Sequence, residues 1–248
     1  MKSGSRARHD DRVTGIGRLG VVVFDAADIE ALAAFYAALT GWTCGRHDPG
    51  WITLENAGES FVAFQRAPDH VPPRWPGQDH PQQFHLDFGV DDLAAAVETA
   101  LGLGASRLAD GPHHVTLADP AGHPFDLAYT SRFAPMSTLW IHIDAPETSA
   151  LGAFYSQVLG MPITHDTEVA TAIADGAKSV VFQPVEDYTP PRWPDPAYPQ
   201  QAHLDVHVAD LDAAQHQVLA LGATPLADGD GTFRVFADPA GHPFCLVL

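Results

Sequence analysis

The sequence predicts an α+β protein made of two tandem copies of one domain. Two observations carry that prediction, and a third supports it. First, blocks of sequence recur at a nearly constant offset of 118 or 119 residues. Ala34-Phe35-Tyr36 returns as Ala153-Phe154-Tyr155, and the PPRWP segment of 72–76 returns unchanged at 190–194. PQQFHLD at 81–87 returns as PQQAHLD at 199–205, LGASRLADG as LGATPLADG, and ADPAGHPF at 118–125 residue for residue at 237–244. That period is too long for a solenoid unit and right for a small domain. Second, the hydrophobic pattern within each copy switches between strand and helix periods and does so twice. Third, 46% hydrophobic and 18% charged residues describe an ordinary globular chain.

Taken in order, Leu19 to Phe24 is a short β-branched run and reads as a strand. Asp28 is placed to cap a helix in which Leu32, Phe35, Tyr36 and Leu39 recur at helical spacing and which Gly41 ends. Trp51 to Glu55 and Phe61 to Gln65 read as strands around the turn-prone Asn56-Ala57-Gly58. After the proline-rich segment the order begins again. Phe84 to Val90 is a strand, Asp91 or Asp92 caps a helix, and Gly102 or Gly104 ends it. His113 to Ala118 and Phe125 to Tyr129 form a hairpin around Asp119-Pro120-Ala121-Gly122, where Pro and Gly suit the turn. The whole chain therefore holds four modules. The expected division is a basic tail over 1–15, a domain over 16–130, a linker over 131–138 and a second domain over 139–248.

The net charge of −18 is uneven: residues 1–18 carry +3 and the remainder −21. So acidic a body repels phosphate backbones, which argues against nucleic-acid binding, and suits a cationic ligand or simple solubility. No apolar run is long enough to span a membrane. The N-terminus has no apolar stretch of a secretory signal, and Cys44 and Cys245 fall in different halves outside any metal-type spacing. A cytoplasmic location with two free thiols is expected.

The phrases AAFYAALTGW, HLDFGVDDL, LGLGA and ADPAGHPFDL, in this module order, resemble the glyoxalase/bleomycin-resistance/extradiol-dioxygenase (vicinal oxygen chelate) superfamily, in particular its actinobacterial glyoxalase-like domain group. The resemblance covers nearly the whole chain beyond the tail. It implies that each copy is two βαβββ modules forming a curled, mainly antiparallel sheet with helices outside. It also implies that metal ligands, where present, project from the first and last strands of the modules. Carried over, the first strand of a copy offers Val21 or Trp140, neither of which ligates, and the next positions offer Gln65 or Gln183, His85 or His203, and Asp126 or Cys245. This departs from the four-ligand pattern of true glyoxalases and argues against a lyase acting on a glutathione adduct.

In the first copy His85, Asp126 and Gln65 could hold a divalent ion, Mn, Fe, Ni or Zn, with positions open for water and substrate. In the second copy His203, Cys245 and Gln183 are the candidates, the thiolate favouring a softer ion unless Cys245 is simply a small buried residue. His85 and Asp87 stand two apart on a strand and share a face, as do His203 and Asp205. They read as a ligand with its orienting carboxylate or as a catalytic base with one; alternatively Asp87 pairs with Arg74, and Asp205 with Arg192. Trp75 and Trp193, in the PPRWP loops, are either lids over a flat ligand or satellite core. Trp140 and His142 share a strand face and are pocket candidates, while His123 and His242 are expected to serve turn geometry. Two functions follow: an enzyme on a small oxygenated or aromatic metabolite using a metal, or a metal-free protein that sequesters an antibiotic. Intramolecular pairing of the two domains is expected, with a homodimer possible.

Overall fold

The computed structural model describes residues 14–132, 135–137, 139–176 and 178–248. The basic tail expected over 1–15 lies almost wholly outside the described residues, and the linker over 131–138 lies partly outside them.

Four βαβββ modules follow one another. The first holds β1 (Arg18–Ala26), α1 (Ile29–Thr40), β2 (Thr43–Asp48), β3 (Trp51–Asn56) and β4 (Glu59–Arg66). The second holds β5 (Phe84–Val90), α2 (Leu93–Gly102), β6 (Ser106–Asp110), β7 (His114–Ala118) and β8 (Pro124–Tyr129). The third holds β9 (Leu139–Ala145), α3 (Thr148–Leu159), β10 (Ile163–Thr167), β11 (Ala170–Asp175) and β12 (Lys178–Pro184). The fourth holds β13 (Ala202–His207), α4 (Leu211–Ala220), β14 (Thr224–Asp228), β15 (Phe233–Ala237) and β16 (Pro243–Val247).

The caps are those the sequence announces. Asp28 accepts from the Ala31 amide at 2.9 Å and Gly41 closes α1 with a φ of 75°, a left-handed value that glycine adopts without strain. Asp92, not Asp91, caps α2, accepting from Ala95 at 3.0 Å. The elements that the residue pattern does not reveal are β2, β6, β10 and β14. Each is almost wholly exposed and terminates a sheet, so it lacks the alternation that marks a half-buried strand.

The α+β class, the four modules and the mainly antiparallel strand pairing stand as expected, but the partnering of modules does not follow the repeat. One eight-stranded sheet runs β14-β15-β16-β13-β1-β4-β3-β2, joining the first and last modules; we call it the terminal sheet. The other runs β10-β11-β12-β9-β5-β8-β7-β6 and joins the two middle modules; it is the central sheet. Each sheet is thus built from both copies, where a copy's own two modules were expected to share one. Connectivity explains it. The second and third modules are linked by nine residues that leave β8 and enter β9 on either side of β5. Because β8 runs parallel to β5 and β9 antiparallel, both ends of the link lie at the same end of the sheet. Two strand spacings, about 10 Å, are easily bridged by nine residues. The longer PPRWP segments change sheets instead.

The modules of one copy meet through their helix faces. Tyr36 of α1 stacks on Phe64 of the terminal sheet with ring centroids 5.6 Å apart and meets Phe88 and Phe125 of the central sheet at 6.0 Å. Tyr155 of α3 makes the same bridge between Phe182 and Phe244. Each tyrosine hydroxyl donates to a buried carboxylate of the DPAGHPF turn, Asp119 or Asp238, at 3.0 Å. Asp119 also accepts from the amides of Ala121 and His123 and contacts His123 Nδ1 at 3.1 Å. This buried charge is tolerable because donors surround it. His123 and His242 accordingly brace the turn, as read from the sequence.

Candidate functional site

In the central sheet β5 and β9 are antiparallel neighbours, and the register sets His85 opposite His142 and Asp87 opposite Trp140. On the other side of β5, parallel β8 sets Asp126 beside Asp87, and on the far side of β9, parallel β12 sets Gln183 beside Asp144. Register neighbours share a face, so the imidazole at 85 and the carboxylate at 126 point the same way.

Side chains from both copies close a ring there. Asp87 stands 3.2 Å from His85 Nε2 through one oxygen and 3.2 Å from His142 Nε2 through the other. His142 Nδ1 lies 3.4 Å from Gln183 Oε1, and Gln183 Nε2 donates to Asp144 at 2.6 Å. Gln82 Nε2 reaches both Asp144 oxygens at 3.3 Å and His85 Nδ1 at 2.9 Å. The two imidazoles stack with centroids 4.6 Å apart. Ligand-type atoms of His85, Asp87 and His142 all lie within 4.8 Å of one another.

The electrostatics follow from burial and pairing. Burial alone would raise the pKa of Asp87; the charge and hydrogen bond of His142, then those of His85, outweigh it and hold the carboxylate well below its usual range. Burial would lower that of His142, but the charge and hydrogen bond of Asp87, then Gln183 and the charge of Asp126, raise it above its ordinary value. Asp144 is raised chiefly by burial. The buried Asp126 Oδ1 has no hydrogen-bond donor, and Asp87 Oδ1 has only the His85 ring nitrogen near it, at 3.2 Å. Unsatisfied lone pairs beside two imidazoles are what a cation would satisfy.

The terminal sheet carries the counterpart. Gln200 Nε2 lies 2.8 Å from His203 Nδ1 and donates to Asp25 at 3.1 Å, while His203 Nε2 stands 3.4 Å from Asp205. His203, Asp205 and Cys245 form a second group of ligand-type atoms within 4.8 Å. Val23 occupies the place of His142, opposite His203 in the register. Burial raises Asp25 to about 6, against the lowering effects of His203 and Gln200. For His203, burial opposes but Cys245 and Asp205 prevail, so its pKa rises well above the ordinary value. Beside this group lies a hollow of about 990 Å³, lined from β1, β2, β3, β4, β13 and β16 and by Leu159, Met161, Asp175, Gly176 and Lys178 of the third module; of the group itself only Asp205 borders it.

Several sequence expectations change place. Gln65 lies on the terminal sheet, aligned with Asp25, and so cannot join His85 and Asp126; Gln183 takes its position. Gln65 falls in turn on the sheet of His203 and Cys245. The facing residue on the first strand is His142 or Val23, two residues beyond Trp140 or Val21. The central sheet therefore offers a ligand-capable side chain on each of the four strands, and the argument from a missing first ligand does not hold there. Asp87 pairs with the two histidines instead of Arg74, which is exposed, and Arg192 lies over the Tyr198 ring at 4.2 Å instead of pairing with Asp205. Trp75 and Trp193 are half-buried, and neither borders the large hollow. Gln82, Asp144, Gln200 and Asp25 were not singled out from the sequence. The PQQ block repeated ahead of each histidine was the available signal for the glutamines.

The family model described as "Glyoxalase-like domain" matches residues 21–128 and again 140–247. No curated protein matches the chain. Among solved structures, glyoxalase I from Zea mays superposes with a TM-score of 0.64 at 18% identity, covering 93% of this chain and 92% of that one. The cppA protein from Streptococcus pneumoniae gives a TM-score of 0.52 at 14% identity, covering 95% and 99%. At such identities the likeness is one of fold.

Proposed function

Because the chain belongs to the glyoxalase-like domain family, we propose that it is an enzyme acting on a small oxygenated or aromatic metabolite at a divalent-metal site of the central sheet. The observation that carries this reading is the convergence of His85, Asp87 and His142 within 4.8 Å. His85 and His142 would hold the ion, with Asp126 and Gln183 at its flanks. Two imidazoles, carboxylate and amide oxygen suit Mn, Fe, Ni or Zn. The orphaned oxygen of Asp126 fits such a cation. When bound, the ion supplies Lewis-acid stabilisation of negative charge developing on a substrate oxygen.

The chain's own groups do the rest. Asp87, ionised and about 18% exposed in its side chain, is placed to take a proton from a ligand bound beside the two imidazoles or to orient them. Gln82 sets the tautomer of His85. As a donor to Nδ1 it leaves the ring proton on Nε2, whereas ligation through Nε2 requires the amide to turn and accept. A divalent ion must also displace the proton that Asp87 favours on His142, so loading releases protons.

Elemental analysis of the purified chain, before and after chelation and after reloading with Mn, Fe, Ni or Zn, tests the reading. It expects about one tightly held ion per chain. A chain holding no stoichiometric ion in any of these states overturns it.

A further inference from the structure

The hollow of the terminal sheet differs in kind from the polar ring of the central sheet. Part of its lining is apolar: Leu19, Val21, Trp51, Phe61 and Met161 border it, and the Trp51 indole packs against a small cluster of Val21, Val23 and Ala63 that is separate from the main core. Its wall carries Arg18, Arg46 and Lys178, three of the nine lysines and arginines that follow residue 13 in a strongly acidic chain. Arg46 pairs with Asp48. Lys178 is different: it starts β12 of the other sheet and reaches across, its Nζ donating to the carbonyls of Gly20 at 2.9 Å and Ser60 at 2.7 Å and lying 5.1 Å from the centre of the Phe61 ring. Among the described residues neither Lys178 nor Arg18 has a carboxylate at ion-pair distance, although Glu55, Glu59, Asp175 and Asp205 share the lining. Burial draws the Lys178 pKa down, Glu59 opposes that and Arg18 adds to it. A half-buried ammonium without a counter-ion is costly, and its two carbonyl partners leave its third N–H free.

We propose that this hollow is a second small-molecule site, selective for organic acids with a flat apolar body, such as aromatic carboxylates. The ring would lie on Trp51 and Val21, while the carboxylate would meet Lys178 and Arg18. The volume of about 990 Å³ accommodates such a ligand. The site is independent of the metal reading, since none of His85, Asp87, Asp126, His142 or Gln183 lines it.

The test uses the full chain and three matched probes: 1-naphthoate, neutral 1-naphthamide and cationic 1-naphthylmethylamine, titrated by calorimetry. Naphthoate is expected to bind roughly tenfold more tightly than the amide, with the amine weakest. Arg18→Gln and Lys178→Gln should each weaken naphthoate severalfold and leave the amide unchanged, whereas Trp51→Ala should weaken both. Arg18 is exposed, so its variant keeps the test decisive if Lys178→Gln fails to fold. His142→Ala should leave naphthoate affinity unchanged. Equal affinity for acid and amide, indifference to Arg18→Gln, or loss on His142→Ala would each overturn the proposal.

Discussion

The two sheets start from one blueprint and end in different chemistry. Each places a glutamine against the Nδ1 of a buried histidine and a carboxylate behind that glutamine: Gln82, His85 and Asp144 in one, Gln200, His203 and Asp25 in the other. Two exchanges separate them. Where the central sheet has His142 and Asp126, the terminal sheet has Val23 and Cys245. The first exchange removes an imidazole and puts a fully buried valine in its place. The lesson is that exchanges at two strand positions change the donor set of such a face, from two imidazoles and two carboxylates to one imidazole, one carboxylate and a thiol.

The comparison can be broken by variants on either side. The largest effect is expected at the ring itself. His85→Ala or His142→Ala should lower divalent-ion affinity by roughly a hundredfold or more and abolish turnover, as measured by calorimetry and activity assay. Equivalent loss from His203→Ala would mean that the sheets share the work. Next is Asp25, whose raised pKa of about 6 marks a carboxylate that burial disfavours in its charged form. Its folded value exceeds the unfolded one, so the strain is absent below about pH 4 and fully felt above about pH 6. Asp25→Asn should therefore stabilise the chain at pH 7 by about 1–3 kcal/mol in urea unfolding. No gain at pH 7 would refute that account.

The regions should agree where they are built alike. Tyr36→Phe and Tyr155→Phe each remove one donor from a buried carboxylate, and each should destabilise by about 1–2 kcal/mol. A marked inequality would show that the repeats have diverged in their cores as well as their faces. A gentler signature is expected in pH. His142 and His203 have raised pKa values when folded, so their contribution to stability is complete below the unfolded value of about 6.5 and is lost as pH rises through the folded values. Metal-free protein should lose stability over that rise, while ion affinity in the central sheet should increase as His142 gives up its proton. Ion affinity independent of pH would remove His142 from the coordination.

Much of this was legible in the residues. The repeat, the alternating modules, the capping aspartates and the shared face of His85 and Asp87 all rest on local pattern. Which modules share a sheet was not legible, because strand pairing is non-local and an internal repeat says only that the copies are alike. That gap misassigned Gln65 to the company of His85 and obscured the facing of His142 by His85. The edge strands lay beyond residue patterning for a different reason: exposed on nearly every residue, they carry no hydrophobic period. Gln82 and Asp144 act through hydrogen bonds between residues 62 apart in sequence.

The central claim is that one metal site is assembled from both copies on the central sheet. Ion stoichiometry in two variants tests it most directly, measured by elemental analysis of chelated and reloaded protein. The account predicts that His142→Ala, in the second copy, abolishes the ion that His85 of the first copy helps to hold, and that Gln65→Leu leaves it in place. Retention of the ion in His142→Ala, or its loss in Gln65→Leu, would contradict it.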